Sequence, residues 1–208
     1  MNSQQQKESY RNMKLALIKY NAGNIRSISF ALDRLGINYV LTENPEEIRS
    51  ADKVIFPGVG EASTTMNFLR KAGLDIIIPE LKQPTLGICL GMQLMCRHSE
   101  EHNTDCLNIF DVPVLKIPSE GQIKVPHMGW NKLQSVKDWL NPDLENQYVY
   151  FVHSYYVPVN SYTTAQTSYG VAVSAAMRKD NFYAVQFHPE KSAESGIQIL
   201  KDFLNVSL

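Results

Sequence analysis

The sequence has 208 residues, of which 44% are hydrophobic, and its 20 basic and 21 acidic residues give a formal net charge of -1. This balance argues against recognition of nucleic acid or an anionic membrane by bulk electrostatics, and the length suits one domain with a substantial core. No apolar run approaches the roughly 20 residues that span a bilayer. The three cysteines have neither disulfide-framework nor zinc-knuckle spacing, so we expect a cytoplasmic protein.

The first twelve residues are polar and rich in glutamine. They lack the apolar core that a signal peptide requires. We expect residues 1–12 to form a flexible N-terminal extension, followed by one domain over residues 13–208.

Short apolar runs alternate with segments of helical periodicity through the first half of the chain. Such runs are typical of buried strands, and they predict strands over residues 14–20, 37–41, 54–56 and 85–89. Helices are predicted from Ile25 to a C-cap at Gly36, through Met66 to Gly73, and over residues 90–98. This alternation predicts an α/β fold, a single-domain, mostly parallel, doubly wound sheet with helices on both faces.

The second half is richer in strands. Residues 147–152, 171–177 and 182–187 are β-branched or aromatic, which is typical of strands. A final amphipathic helix is predicted from apolar residues at helical spacing between 197 and 204.

The strongest local signal for chemistry surrounds Cys89. The segment Gly87-Ile88-Cys89-Leu90-Gly91 has the form of a nucleophile elbow with cysteine in place of serine. At such an elbow the sulfur lies at a helix N-terminus, where the helix dipole favours the thiolate, and the N–H of Leu90 points to where an oxyanion would form. We predict that Cys89 is a nucleophile, whereas Cys96 and Cys106 are expected to be buried, inert thiols.

A thiolate nucleophile needs an imidazole and a group that orients it. His188 and Glu190 follow a predicted strand, and side chains two residues apart face the same way along an extended segment. A lone histidine is more often a polar residue of the surface or core, but the carboxylate at this spacing favours catalysis. Because the carboxyl ends of parallel strands gather at one edge, we expect Cys89, His188 and Glu190 to meet in one site.

The segment Pro57-Gly58-Val59-Gly60 stands at the end of another predicted strand. Its glycines allow backbone N–H groups to turn toward a bound oxyanion, although by itself the segment reads as an ordinary turn. Scattered histidines and aspartates show no metal-ligand spacing, so we expect no metal site.

Three of these blocks together resemble the class I, or triad, glutamine amidotransferases. They are residues 57–60, the segment 87–93 that ends in Gln93, and residues 186–190, in the order and approximate separation of that family. The resemblance covers nearly all of the chain from residue 14 onward. It implies a thiol nucleophile Cys89, a general acid and base His188, and an orienting Glu190.

The same resemblance implies roles for the surrounding residues. The oxyanion would be bound by the segment Gly58, Val59 and Gly60 together with the N–H of Leu90. Substrate binding would involve Gln93, which holds the amino-acid end of glutamine, and also Ser154 and Tyr155. No cofactor is implied.

Further segments narrow the resemblance to the glutaminase subunits of imidazole glycerol phosphate synthase, an enzyme of histidine biosynthesis. These segments are residues 20–27, 125–131 and 150–156, with Lys191-Ser192 after Glu190. In that family, ammonia from glutamine passes to a (β/α)₈-barrel cyclase, which makes imidazole glycerol phosphate and an aminoimidazole carboxamide ribotide. The resemblance implies a heterodimer with a separate cyclase chain. It also implies that Trp130, Tyr150 and Lys191 lie at the surface that faces the synthase, although aromatic residues more often belong to cores.

Three other functions remain open at this point. A paralogous glutaminase that feeds a surface-sugar synthase has nearly the same sequence pattern. A stand-alone cysteine γ-glutamyl hydrolase of the same fold would be active without a partner. A catalytically silent regulatory subunit is disfavoured by the intact set of Cys89, His188 and Glu190.

Overall fold

The computed structural model describes residues 13–20, 25–119 and 123–207. The expected extension over residues 1–12 lies outside these described residues. Among the described residues, none of the helices combines the length and the hydrophobicity that a membrane span needs.

The described residues form thirteen strands, six α-helices and three short 3₁₀ turns. The strands are β1 (Leu15–Ile18), β2 (Tyr39–Thr42), β3 (Lys53–Phe56), β4 (Thr85–Ile88), β5 (Cys96–Ser99), β6 (Thr104–Asp105), β7 (Phe110–Lys116), β8 (His127–Lys132), β9 (Tyr148–His153), β10 (Tyr155–Tyr156), β11 (Thr163–Ser168), β12 (Ala172–Lys179) and β13 (Phe182–Val185). The helices are α1 (Ile25–Leu35), α2 (Pro45–Arg49), α3 (Ala62–Ala72), α4 (Leu74–Glu80), α5 (Leu90–Met95) and α6 (Ala193–Asn205), and the 3₁₀ turns are Glu101–Asn103, Pro142–Leu144 and Pro189–Lys191.

Seven strands form the central sheet, in the order β11-β12-β13-β4-β3-β1-β2. The five strands from β13 to β2 are parallel, and β12 and β11 extend the sheet as antiparallel strands. The predicted mostly parallel sheet is therefore confirmed. Because β4 lies between β3 and β13, the carboxyl ends of these three strands meet at one edge, which is where a doubly wound sheet places its ligand.

Alternating side chains of the central strands pack into two separate cores, one on each face of the sheet. In β1, Leu15 and Leu17 pack with α1 and α6 on one face, whereas Ala16 and Ile18 pack with α2, α3, α4 and α5 on the other. This arrangement follows from the period of two in a strand. Helices cover both faces, as the sequence predicts.

Glycines end two of the predicted helices. Gly36 follows α1 with φ +69°, and Gly73 follows α3 with the same φ, in the left-handed region where a side chain would be strained. Both helix ends agree with the sequence prediction.

The helix predicted over residues 90–98 is wrong in its second half. Helix α5 ends at Met95, and residues 96–99 form β5 instead. Strand β5 pairs with β7 in parallel and with β6 antiparallel, within a four-stranded sheet ordered β10-β7-β5-β6. The sequence of residues 90–98 does not mark a change from helix to strand, and the pairing of β5 with β7, further along the chain, gives residues 96–99 their strand conformation.

The remaining two-stranded sheet is a hairpin of β8 and β9 that covers the site edge of the main sheet. Its register places His127 opposite His153 and Trp130 opposite Tyr150. Inward and outward residues alternate along β9, where Val149 and Phe151 are buried. One face of the hairpin therefore belongs to the core, and the other reaches the surface.

Candidate active site

Cys89 occupies a strained turn between β4 and α5. Its φ of 53° and ψ of -109° are unusual for a residue with a side chain, and its N–H donates to the carbonyl of Val185 in β13 at 2.8 Å. A Cβ on Gly91 would lie 2.1 Å from the carbonyl oxygen of Phe56, and one on Gly87 would lie 2.8 Å from the sulfur of Met95. Close backbone approach therefore requires a glycine at position 91, and a Cβ on Gly87 would also lie 3.0 Å from the backbone of Gly91, as at a nucleophile elbow.

The structure brings His188 and Glu190 together at the end of β13. Nδ1 of His188 lies 2.8 Å from Oε1 of Glu190, and both side chains are almost fully buried. The expected contact is present, but the expected extended backbone is not, because Pro189–Lys191 forms a 3₁₀ turn. The Ser192 hydroxyl donates to the carbonyl of His188 at 2.7 Å, and this bond braces the turn against the start of α6.

His188 lies between two groups that are able to carry negative charge. Burial of the imidazole lowers its pKa, but the charge of Cys89 and hydrogen bonds to Cys89 and Glu190 outweigh burial and raise the pKa of His188 to about 10. An imidazolium at this position is stabilised by a thiolate on one side and a carboxylate on the other. A cysteine, an imidazole and a carboxylate in contact are the groups that a cysteine nucleophile with an oriented acid and base requires.

Two buried side-chain amides, those of Gln93 and Gln186, lie between Cys89 and Tyr155. Nε2 of Gln93 donates to the carbonyl of Tyr155 at 2.9 Å and to Oε1 of Gln186 at 3.0 Å. The carbonyl of Tyr155 can only accept, which fixes the orientation of the Gln93 amide, and the Gln93 amide in turn fixes that of Gln186. Nε2 of Gln186 is left facing Sγ of Cys89 at 3.8 Å.

A second histidine, His153, lies beside His188 but has both ring nitrogens engaged. Nδ1 of His153 lies 2.8 Å from the carbonyl of Tyr155, which can only accept, so this nitrogen carries the proton. Nε2 then accepts from Nδ1 of His127 at 3.0 Å. Burial lowers the pKa of His153 to about 3 and that of His127 to about 4, so both are neutral and His153 is poorly placed to act as a base.

The segment at the end of β3 approaches the elbow from the opposite side. The N–H of Leu90 donates to the carbonyl of Gly58 at 3.4 Å. Because the C=O and N–H of a trans peptide point in opposite directions, the N–H of Val59 points away from Leu90. The Gly58–Val59 peptide therefore presents an acceptor, rather than a donor, at the place expected for an oxyanion.

A cavity of about 330 Å³ opens over the sulfur. Of the residues predicted for the site, it is lined by Val59, Gly60, Cys89, Leu90, Gln93, Ser154, Tyr155 and His188. Gly58 and Glu190 stand behind this lining, where they contact Leu90 and His188 respectively.

The sequence analysis missed Glu101 and His153 in the wall of this cavity. The carboxylate of Glu101 accepts from the N–H of Ala62 at 2.8 Å, at the start of α3. No local signal marks Glu101, because the turn after β5 brings it to the cavity and residues 90–98 were predicted as one helix. The sequence could have indicated His153 as a site residue, because it directly precedes Ser154 and Tyr155, which were predicted to bind substrate.

The three residues predicted at a partner surface lie next to each other. Trp130 is 52% exposed, and its ring centroid lies 5.9 Å from that of Tyr150. Nζ of Lys191 is 6.0 Å from the Tyr150 ring centroid. This cluster is directly connected to the site, because the N–H of His188 donates to the carbonyl of Tyr150 at 2.9 Å.

Comparison with known proteins identifies the family of this chain. Residues 16–206 match the family model described as glutamine amidotransferase class-I. The imidazole glycerol phosphate synthase subunit HisH of Bacteroides fragilis (strain YCH46) is 59% identical over 196 residues, which are 93% of this chain and 100% of the relative. The HisH subunit of Idiomarina loihiensis is 42% identical over 94% of this chain and 100% of its own length.

Solved structures of lower identity share the fold. One described as a glutamine amidotransferase has a TM-score of 0.71 at 18% identity and covers 91% of this chain and 96% of its own. A chain in the structure of PurLQS from Thermotoga maritima has a TM-score of 0.68 at 16% identity, and the match covers 93% of this chain and 98% of that one.

Proposed function

The chain belongs to the class I glutamine amidotransferases and, within them, to the HisH subunits of imidazole glycerol phosphate synthase, and from this membership we propose how its site works. The protein hydrolyses glutamine to glutamate and ammonia and supplies the ammonia to a cyclase subunit in histidine biosynthesis. The observation that carries the chemistry is the buried group of Cys89 and His188 in the cavity wall, with Glu190 behind His188. The relatives do not favour the surface-sugar or stand-alone alternatives.

We propose that the thiolate of Cys89 attacks the carboxamide carbon of glutamine. The resulting oxyanion is bound by backbone N–H groups, those of Leu90 and Val59, and the imidazolium of His188 donates a proton to the departing ammonia. A γ-glutamyl thioester remains on Cys89. His188, now neutral, takes a proton from water, which attacks the thioester and releases glutamate and the thiolate. Glu190 holds the imidazole in the tautomer that both steps require.

The end of glutamine that carries the α-ammonium and α-carboxylate groups is proposed to bind between helix α5 and the cavity wall that contains Ser154 and Tyr155. Both N–H groups of the Gln93 amide are used by protein acceptors, so Gln93 offers its Oε1 to the α-ammonium. The carboxylate of Glu101 lines the same cavity and adds a negative charge for that ammonium. Ser154 and Tyr155 complete this end of the site.

The orientation of the Gly58–Val59 peptide supports a glutaminase that depends on its partner. In the free chain the N–H of Leu90 donates its hydrogen bond to the carbonyl of Gly58. The oxyanion site is therefore incomplete until the Gly58–Val59 peptide rotates. A peptide flanked by glycines reorients at low conformational cost. Hydrolysis without an acceptor would release ammonia into water, where it protonates and ceases to be a nucleophile.

We propose that the partner binds at the surface of Trp130, Tyr150 and Lys191. The partner is a separate (β/α)₈-barrel cyclase that forms a heterodimer with this chain, and its contact shifts the Gly58–Val59 peptide toward the active orientation. Tyr150 is one hydrogen bond from His188, which gives the surface a short connection to the site. The cytoplasmic location expected from the sequence remains a prediction.

A glutaminase assay of three samples tests this coupling: the chain alone, with the synthase, and with the synthase plus its nucleotide substrate. We expect activation on the order of 10²–10⁴-fold in the last sample, which corresponds to roughly 3–5 kcal/mol in the barrier. A Cys89→Ala variant is the control, because it should lose glutamine hydrolysis while ammonium salt still drives the synthase. Equal rates in the three samples would contradict the coupling and favour a stand-alone hydrolase.

A further inference from the structure

The side chain of Gln186 is fully buried and contacts the sulfur of Cys89. Gln186 directly follows β13, and its N–H donates to the carbonyl of Ala175 in β12 at 2.9 Å. The carbonyl of the residue before it, Val185, accepts from the N–H of Cys89 at 2.8 Å. The backbone that carries Gln186 is therefore fixed both by the central sheet and by the elbow.

The hydrogen bonds of the site decide which end of the Gln186 amide faces the sulfur. The carbonyl of Tyr155 can only accept, so Gln93 turns its Nε2 toward Tyr155 and offers the second N–H of that nitrogen to Gln186. The atom of Gln186 that meets this N–H must be its oxygen. Nε2 of Gln186 consequently faces Sγ of Cys89, 3.8 Å away, as a donor.

The carbonyl of Val152 also contacts the sulfur, and it has the opposite preference. Its oxygen lies 3.8 Å from Sγ of Cys89. A carbonyl can only accept, so it bonds a thiol through the S–H but offers nothing to a thiolate. An amide N–H donates more strongly to a charged acceptor than to a neutral one. The Gln186 amide therefore counteracts the preference of Val152 for the protonated sulfur.

Titratable side chains also surround the sulfur. They are His188 with Glu190 behind it, His153 of β9, Glu101 and Tyr20. Of these, His188 interacts with both Cys89 and Glu190, so its positive charge is divided between the sulfur and the carboxylate. An amide does not titrate, so the N–H of Gln186 faces the sulfur in every charge state of these groups.

We propose that Gln186 is a catalytic residue that donates a hydrogen bond to the thiolate of Cys89. This inference rests on the proposed function, in which that thiolate attacks glutamine. The reaction needs the thiolate twice: as the nucleophile that forms the C–S bond of the thioester, and as the leaving group that takes back the electron pair of this bond after water has added. The hydrogen bond is strongest at these two stages and weakest in the thioester, where the sulfur is neutral.

Replacement of Gln186 by methionine tests the donor, because Gln186→Met keeps the length of the side chain and removes the N–H. Iodoacetamide reacts with the thiolate, so the rate of Cys89 alkylation against pH measures how readily this sulfur ionises. We expect the midpoint of that profile to move to higher pH by about one unit, a tenfold change, because a hydrogen bond to a charged group is lost. The rate at high pH, where the sulfur is ionised in both proteins, should not fall.

Turnover with liganded synthase should follow the alkylation profile. We expect Gln186→Met to lower kcat at neutral pH by about tenfold, with part of the loss recovered at higher pH. The KM for glutamine should change less, because Gln93 keeps its bond to Tyr155.

A matched control is Gln83→Met, which removes a structural hydrogen bond at the other end of β4. Nε2 of Gln83 donates to the carbonyl of Ile48 at 2.7 Å, and Gln83 precedes β4, whereas Cys89 follows it. Gln83→Met should lower stability and move neither the alkylation midpoint nor kcat. A role of Gln186 in packing alone would give this same pattern.

The side-chain amide NMR signals of Gln186 give a readout in the wild type that is independent of whether Gln186→Met folds. We expect them to shift through the same pH midpoint as the alkylation of Cys89, and to lose this titration in Cys89→Ala. An unmoved alkylation midpoint in folded Gln186→Met overturns the proposal, as do amide signals that stay constant through the wild-type midpoint. If the wild type fails to hydrolyse glutamine even with liganded synthase, the proposed function fails and the catalytic role of Gln186 fails with it. Alkylation and NMR need no turnover, so they distinguish the two failures.

Discussion

Substitution of Gly58 by alanine offers a test of the oxyanion segment whose size follows from the structure. A Cβ at Gly58 would lie 2.3 Å from the backbone nitrogen of Gly91 and 2.6 Å from Cβ of Leu90, whereas ordinary contact begins at 3.4 Å. Both neighbours belong to the elbow, whose backbone is fixed by β4 and α5. The segment must therefore move away from the elbow by about 1 Å.

A displacement of this size is enough to remove a catalytic hydrogen bond. Oxyanion donors work at about 2.7–3.1 Å, and loss of one donor costs roughly 10²–10³ in kcat, or about 2.7–4 kcal/mol. We expect Gly58→Ala to lower kcat of the synthase-activated glutaminase by this factor. The assay is steady-state hydrolysis of glutamine with liganded synthase in excess.

A control glycine separates this effect from ordinary backbone strain. Gly36 has φ +69° and nothing within 4 Å of an added Cβ, so Gly36→Ala should destabilise the fold by about 1 kcal/mol without a kinetic effect. Alkylation of Cys89 should proceed normally in both variants. Turnover of Gly58→Ala within a few-fold of the wild type would refute the reasoning, because the segment would then supply no donor.

Three further predictions concern the reacting groups. A glutamine-like electrophile should label Cys89 and spare the other two cysteines, because burial raises the pKa of both, that of Cys106 to about 12; labelling of either at an equal rate would count against Cys89 as the nucleophile. His188→Asn should cost more turnover than Glu190→Gln, and near wild-type turnover in His188→Asn would assign the proton transfer elsewhere. Glu190→Gln removes a group that raises the pKa of His188, so the alkaline limb of kcat/KM, where the imidazolium loses its proton, should move to lower pH by about one unit.

The parts of the fold that sequence reasoning predicts well are those set by local patterns. The apolar run of residues 15–18 is buried on both faces, which is sufficient to predict a central parallel strand. Gly36 and Gly73 mark helix ends because glycine adopts the positive φ angle found there. The elbow at Cys89 is also local, since strand β4, Cys89 and helix α5 follow one another directly. These features do not depend on which distant segment packs against them.

Other features depend on contacts that a local pattern does not encode. Residues 96–99 become a strand because residues of β7 are available to pair with them. Glu101 reaches the cavity only through the turn that follows this strand. The bond between Tyr20 and Pro57 spans 37 residues, and a tyrosine after a buried strand is by itself indistinguishable from a core residue.

Strand β9 connects the surface of Trp130, Tyr150 and Lys191 directly to the active site. Its residue Tyr150 belongs to the exposed cluster and accepts from the N–H of His188, and two residues later the carbonyl of Val152 lies 3.8 Å from Sγ of Cys89. Strand β9 is paired with β8 along its whole length, which favours movement of the strand as one unit. Coupling requires an element with two states, and the Gly58–Val59 peptide, whose hydrogen bond to the N–H of Leu90 is long at 3.4 Å, has the freedom to provide them.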